Sequence, residues 1–429
     1  MIRFYNARIL TMRNKILPSE GFEEIFQGEL WVEQSRIVYV GQQKEDHPVF
    51  EREIDCNGDL LMPGFKNAHT HSGMTLLRSM ADDCPLQEWL NTKVFPFEEK
   101  LTRDDIYHAT KLAILEYLTS GVTAIFDMYL MPDAIADACS DMGMRCVQSS
   151  GLNDFTLSLE QMEEFYERLN HRDELNHFML GFHAEYTTSK ELLKQIAQLA
   201  RDKKAPVYTH MSETAVEVDN CIARYGKTPI QLMEELGMFE YGGGGYHCIY
   251  LTPEDMDIFK KRGLYVVTNP GSNSKIASGI APISTFLERG IPVAIGTDGP
   301  ASNNCLDMFR EMFLVTGLAK LKEKDATAVD AMEVLRMATV NGAHAMGLMD
   351  CDVLAEGKYA DVIRIDLQMP NMQPIHNIAK NLVYSGSKLN VKMTMIHGRI
   401  LYEDGCFHTK DKPEEIYHAV NKTLERILH

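Results

Sequence analysis

Five histidines and one aspartate stand where they could share one metal ion. His69 and His71 form an H-x-H pair in AHTH, and His183, His210 and His247 each fall at the end of a short apolar run. Asp298 closes another, IPVAIGTD. Side chains at i and i+2 of an extended chain point to the same side, so His69 and His71 can converge on one ion. Imidazole suits zinc, iron and nickel, and a carboxylate completes a mixed site that leaves a position for water. A single buried histidine is more often a hydrogen-bonded core residue than a ligand, and an isolated H-x-H is weak. Six such residues at the ends of successive candidate strands are hard to explain as independent accidents. A divalent ion lowers the pKa of bound water from ~15.7 toward ~7, so the chemistry expected of this set is hydrolysis at neutral pH.

These residues need elements that bring them to one face. Eight runs read as strands: 60–69, 122–128, 144–150, 178–183, 206–210, 244–250, 264–269 and 291–298. The segments between them carry helical periodicity, as over 103–121 and 189–204. This alternation predicts an α/β fold, a (β/α)8 TIM barrel, whose active site lies at the C-terminal ends of the strands. Further helices are expected after the eighth strand, in LDMFREMFLVTGLA and over 330–347. Both chain ends are strand-rich: RFYNARILTM, GELWVEQ and RIVYVG at the start, ADVIRIDL and VKMTMIHGRILYEDG later, with Gly398 and Gly405 at turn positions. Neither end is large enough to make a good core alone. They are expected to pair into one small β-sandwich, residues 1–58 with 359–429, beside a barrel domain of 59–358.

The bulk properties fit this reading. The 429 residues, 45% hydrophobic and 24% charged, are ordinary for a globular protein. A net charge of −18 disfavours nucleic acid and anionic membrane as partners and leaves a small molecule as the expected one. The nine cysteines show no C-x-x-C pair, which suits reduced thiols. MIRFYNARILTM lacks the apolar core of a signal peptide, and no stretch approaches the ~20 apolar residues of a membrane span. A soluble, cytoplasmic protein is expected.

From PGFKNAHTHSGMTLLRSMADDCPLQEWL through FPFEEKLT, GFHAEYTTS, THMSETAVEV, HCIYLTPED, NPGSNSKIASGIAPI and IGTDGPASNNCLDMF to AEGKYADVIRIDL, the chain resembles the amidohydrolase superfamily. It most resembles the branch of S-adenosylhomocysteine, methylthioadenosine and 5′-deoxyadenosine deaminases and triazine chlorohydrolases. The resemblance runs from about residue 2 to 405. It implies one divalent metal, usually zinc, with iron or nickel in some relatives, held by His69, His71, His210 and Asp298. It makes Glu213 the proton shuttle and His247 the partner of the metal-bound water. Glu98 and His183 match substrate-binding positions, and Trp89, with Met74, Leu76, Leu77 and Met80, belongs to an apolar first loop that could line a pocket or a subunit interface. The implied reaction is hydrolytic deamination of an adenine-type nucleoside, with metal-bound hydroxide attacking the ring carbon and ammonia leaving. A homo-oligomer is expected, as is common among relatives.

The chain departs from the pattern in places. Glu185 replaces a proline usual in deaminases, and could either sit near the pocket mouth or be an exposed loop carboxylate. The third-strand loop, SSGLNDFTLSLEQM, lacks the arginine that methylthioadenosine and adenosylhomocysteine deaminases carry there. The run Gly242–Gly245 suggests a tight backbone approach. Two other readings stay open: a hydrolase of another heterocycle (guanine-, pterin- or cytosine-like deaminase, or triazine chlorohydrolase), and a catalytically silent relative. The latter class loses metal ligands, whereas all the expected ones are present here.

Overall fold

The computed structural model describes residues 1–13, 25–80, 82, 83, 88 and 90–428. Eight parallel strands follow one another around a barrel: β6 (Phe65–Thr70), β7 (Val122–Asp127), β8 (Arg145–Ser149), β9 (Asn176–Ala184), β10 (Val207–Met211), β11 (Gly243–His247), β12 (Tyr265–Thr268) and β13 (Val293–Ile295). They are the eight runs expected from the sequence, with one difference at each end of the series. The run 60–69 is divided: Leu60–Pro63 joins a different sheet, and the barrel begins at Phe65. The last strand is short, so Asp298 lies just beyond it, at φ 59°.

Side chains close the seam between β13 and β6. The Asn67 amide donates to Thr297 Oγ1 at 2.7 Å and accepts from the Thr297 N–H at 2.9 Å. The Asp298 N–H donates to the His69 carbonyl at 3.0 Å, which ties two of the candidate site residues together through backbone. Ala68, Phe126, Val147, Tyr208, Tyr246 and Val267 fill the barrel interior. The Tyr208 hydroxyl is satisfied by the Ala345 carbonyl at 2.6 Å, from the helical segment that follows the eighth strand.

The glycine run has a packing cause. A Cβ on Gly243, at φ 125°, would stand 2.0 Å from the Val207 carbonyl oxygen, and one on Gly244 would stand 2.4 Å from that of Tyr265. β11 therefore lies too close to both neighbours for any side chain at these two positions.

Both chain ends build a second sheet. Its order is β17 (Cys406–Phe407), β16 (Arg399–Glu403), β15 (Val391–Ile396), β14 (Val362–Ile365), β5 (Leu60–Pro63), β1 (Ile2–Leu10), β2 (Ile25–Glu33) and β3 (Arg36–Gly41), with β4 (Arg52–Asp55) beside β1. The strands form one hydrogen-bonded path around their own core of Phe4, Ile9, Leu30, Val32, Val362 and Met393. A two-residue turn at His397–Gly398 joins β15 to β16, both residues at positive φ as such a hairpin needs. A buried ion pair, Arg145 with Asp361 at 2.8 Å, links this sheet's approach to the barrel strand β8. The final helix, Pro413–Leu428, belongs elsewhere than the terminal sheet to which 359–429 were assigned. It packs on the barrel helix Arg103–Thr119, where Asp105 accepts from Thr423 at 2.7 Å and pairs with Arg426.

Among the described residues the cysteines are free thiols, most of them buried. No described helix is long and apolar enough to cross a membrane.

Candidate active site

The strand ends deliver His69, His71, His183, His210, His247 and Asp298 to one cavity at the C-terminal mouth of the barrel. Ligand atoms of His69, His210, His247 and Asp298 lie within 4.8 Å of one another. His71 reaches the same point, with Nε2 3.1 Å from Asp298 Oδ1, while His69 Nε2 stands 3.5 Å from that oxygen. The group within that distance thus contains His247 and three of the four residues expected as ligands, while His71, the fourth, joins it through Asp298.

Each imidazole is oriented from behind. His71 Nδ1 donates to the Met128 carbonyl, and His210 Nδ1 to the His183 carbonyl at 2.7 Å. His247 Nδ1 donates to Asn273 Oδ1 at 2.7 Å. A carbonyl oxygen only accepts, so these contacts fix a proton on Nδ1 and leave Nε2 facing the centre. His69 is fully buried and stacked on Tyr246 at 3.7 Å, and neither of its nitrogens has a hydrogen-bond partner. A buried unpaired imidazole is costly unless something fills its lone pair. Burial first, then the neighbouring histidines, drives His69 and His210 well below 6.5, which keeps them neutral. Burial would raise Asp298, but the hydrogen bond and positive charge of His71 outweigh it and hold the carboxylate well below its usual range. The donor set fits a divalent ion.

Asp298 is itself held on several sides. Ser272 and Ser302 hydroxyls donate to Oδ2 at 2.6 and 2.9 Å, and the Gly299 N–H donates to Oδ1 at 2.8 Å. Ser272 and Asn273 sit on the short helix Pro270–Lys275, whose Gly271 N–H is gripped by the buried Glu311 carboxyl at 2.8 Å. One helix thus orients both Asp298 and His247.

Glu213 follows β10 by two residues. Its Oε1 accepts from the Ser278 hydroxyl at 3.0 Å, and its Oε2 lies 3.9 Å from His247 Nε2. His247 Nε2 is also 3.9 Å from Asp298 Oδ2, so this imidazole stands between two carboxylates. The turn that carries Glu213 is fastened by Glu217, whose two oxygens accept the Ser212 and Glu213 N–H groups at 2.8 Å each. Ser212 is at φ 49°, a strained conformation for a residue with a side chain.

The cavity, about 960 Å³ with its open mouth, is lined by His71, His183, His210, Glu213, His247 and Asp298 at its base. Glu98 and His183 both line it. Burial pushes the Glu98 carboxyl up to about 7, against the opposing pull of Tyr129 and His71, and Oε1 is buried with no partner. Burial brings His183 down to about 4; its Nδ1 is engaged by Thr187 at 2.9 Å. Trp89 lies outside the described residues, but its neighbours Leu90 and Val94 line the cavity. In the first loop Met74 faces the cavity, whereas Leu76 and Leu77 are buried in the barrel core. Glu185 is neither at the mouth nor exposed: it is buried and paired with Arg224 at 2.5 Å.

Sequence reasoning missed Glu217, Ser272, Ser302, Asn273 and Glu311. None carries a spacing signal of its own, because each acts through a backbone or side chain that only the fold brings near.

The amidohydrolase family profile matches residues 60–401. A 5-methylthioadenosine/S-adenosylhomocysteine deaminase from Desulfitobacterium hafniense (strain DSM 10664 / DCB-2) is 40% identical over 413 residues, covering 94% of this chain and 95% of the relative. The zinc-bound crystal structure of an adenosine deaminase from Xanthomonas campestris superposes with a TM-score of 0.92 at 30% identity, covering 100% of this chain and 98% of that one. The zinc complex of an atrazine chlorohydrolase from Arthrobacter aurescens TC1 shares the fold, with a TM-score of 0.88 at 22% identity and coverage of 99% and 100%. With a profile that spans most of the barrel and a relative this similar over nearly its whole length, the chain belongs to the amidohydrolase family.

Proposed function

We propose that the protein is a metal-dependent hydrolytic deaminase of an adenine-type nucleoside. The observation that carries this reading is the placement of Glu213 beside the histidine–aspartate cluster, with Glu98 and His183 facing the same cavity. Relatives named as deaminases of adenine nucleosides support it.

His69, His71, His210 and Asp298 would hold the ion. His71 is chosen over His247 because His247 Nε2 lies between Glu213 and Asp298, where it can serve the reacting oxygen. When bound, a divalent ion makes an ionised water available as nucleophile near pH 7.

The chain's own groups move the protons. Asp298 takes a proton from the attacking water. Glu213 holds a proton and gives it to the ring nitrogen next to the amino-bearing carbon, which makes that carbon more electrophilic. The carbon–oxygen bond forms, and the ring electrons shift to the protonated nitrogen. His247, its Nδ1 fixed by Asn273, turns Nε2 to the attacking water and orients it by accepting a hydrogen bond. The proton taken by Asp298 passes to the amine, the carbon–nitrogen bond breaks, and ammonia departs. The new hydroxyl gives its remaining proton back to Glu213 as the carbonyl forms, so one water is consumed, one ammonia is released, and a 6-oxopurine nucleoside remains. Glu98, as carboxylate, accepts hydroxyl donors of the sugar, and neutral His183 offers Nε2 as an acceptor.

The test is ammonia release by the zinc-loaded protein from adenosine, 5′-deoxyadenosine, methylthioadenosine, adenine, guanine, cytosine and amino- and chlorotriazines. Turnover of an adenine nucleoside, with stoichiometric 6-oxopurine product, is expected. Silence from every adenine nucleoside, with turnover of a triazine or another base, sinks the proposal.

A further inference from the structure

We infer that the site accepts adenine nucleosides whose 5′ substituent is uncharged and excludes a 5′ tail that ends in a carboxylate. This rests on the deaminase reading and narrows it, since the D. hafniense relative is named for substrates of both kinds.

The reacting base is fixed at the cluster, so the 5′ end of a nucleoside extends toward the remaining walls. Those walls are Leu90, Val94, Phe95, Leu130, Leu157 and Tyr186, with Asn153 and Thr156 as their polar members. Among the described residues no lysine or arginine lines the cavity. The nearby cations are already engaged. Arg224 pairs with Glu185 at 2.5 Å, Lys275 with Asp82 at 2.5 Å, and Arg78 with Glu116 at 2.6 Å. Lys93 is exposed and does not line the cavity. The loop 149–162, which supplies Gly151, Asn153, Thr156 and Leu157 to the cavity, contains no lysine or arginine in its sequence.

The ionisable carboxyls that do face the cavity, Glu98, Glu213 and Asp298, are acidic. The homocysteine tail carries an ammonium as well as a carboxylate: the acidic side chains can receive the ammonium, but the carboxylate sheds its hydration against aliphatic side chains and gains no cation. A methyl, methylthio or propylthio group loses nothing by the same transfer and gains apolar burial. The asymmetry falls on binding of the tail, so it is expected in KM more than in kcat.

The experiment compares kcat/KM of the zinc-loaded enzyme for methylthioadenosine, 5′-propylthioadenosine and S-adenosylhomocysteine. The propylthio tail carries a chain similar in reach to that of homocysteine without its charges. We expect both neutral thioethers to exceed adenosylhomocysteine by about 100-fold, as an unpaired desolvated charge costs at least the ~1–3 kcal/mol of a buried polar group. Leu157→Arg, checked for folding by circular dichroism and zinc content, should narrow the gap by improving adenosylhomocysteine. Adenosylhomocysteine within about 5-fold of propylthioadenosine overturns the inference, the difference then being under ~1 kcal/mol. So does equal failure of both long tails, because length rather than charge would then decide. Inactivity toward all adenine nucleosides is a different result, and removes the deaminase reading itself.

Discussion

Glu213 and Asp298 are both acidic and both close to His247, yet their surroundings give them different tasks. Asp298 sits among histidines, two serine hydroxyls and a backbone N–H, all of which favour its charge. Glu213 has one hydroxyl donor and stands 3.9 Å from His247. Glu213→Gln keeps shape and removes the transferable proton. It should retain metal and lose about 100- to 10,000-fold in kcat; loss of metal in that variant would make Glu213 a ligand instead. Asp298→Asn should also abolish most turnover, since an amide neither takes a proton from water nor balances cationic charge, and near-normal rates would refute its role. His71 and His247 provide a sharper contrast, because geometry alone admits either as a ligand. His71→Ala should lower zinc content measured by elemental analysis. His247→Ala should leave zinc bound and remove activity. The reverse pattern would exchange the two assignments.

At the scale of elements, the site depends on short segments placed at strand ends. The turn Ser212–Glu213 is held by both oxygens of Glu217, and one helix turn carries Ser272 and Asn273 to separate catalytic partners. Glu217→Gln leaves one acceptor for two N–H donors and sets an amide NH2 against the second. The unpaired contact costs ~1–3 kcal/mol, and we expect it as a fall of about 10-fold or more in kcat with zinc content and KM retained. An unchanged kcat would show that Glu213 holds its position without this clamp. Such features explain what the sequence made legible. The barrel strands announce themselves because each is an apolar run and five of the eight lead into a residue with a chemical job. The division of 60–69 was hidden because LLMP and FKNAH read as one continuous strand, and only the terminal sheet separates them. The glycine run was visible but not explicable, since the cause at Gly243 and Gly244 is the closeness of Val207 and Tyr265, remote in sequence. Glu185 was misplaced for the same reason: Arg224, which neutralises it, comes from a later helix.

Over the whole molecule, burying a polar site inside a barrel has a cost that depends on pH. Glu98 shows it most simply, being held at about 7 against an ordinary value of 4.5, by burial. Between those two values the folded protein keeps a proton that the unfolded chain has released. Stability from this group is therefore greatest below 4.5, falls as pH rises through the window, and stays reduced above about 7. Glutamine at this position cannot titrate and escapes the penalty. The Tm of Glu98→Gln minus that of the parent should accordingly increase from pH 5 to about 7 and then level off. The measurement belongs on chelator-treated protein, because a divalent charge in the cavity would itself pull the carboxyl down. The same substitution has the opposite effect on function. In the parent, only the ionised carboxylate can accept two sugar hydroxyls, so KM of the zinc-loaded enzyme should fall as pH rises through a window that the ion's charge displaces below about 7. In the variant KM should be higher and nearly independent of pH over that range. A Tm difference that stays flat, together with a pH-dependent KM in the variant, would show that another group titrates there. A rising Tm difference with a flat, elevated KM would tie both effects to the one carboxyl that the barrel buries and the substrate needs.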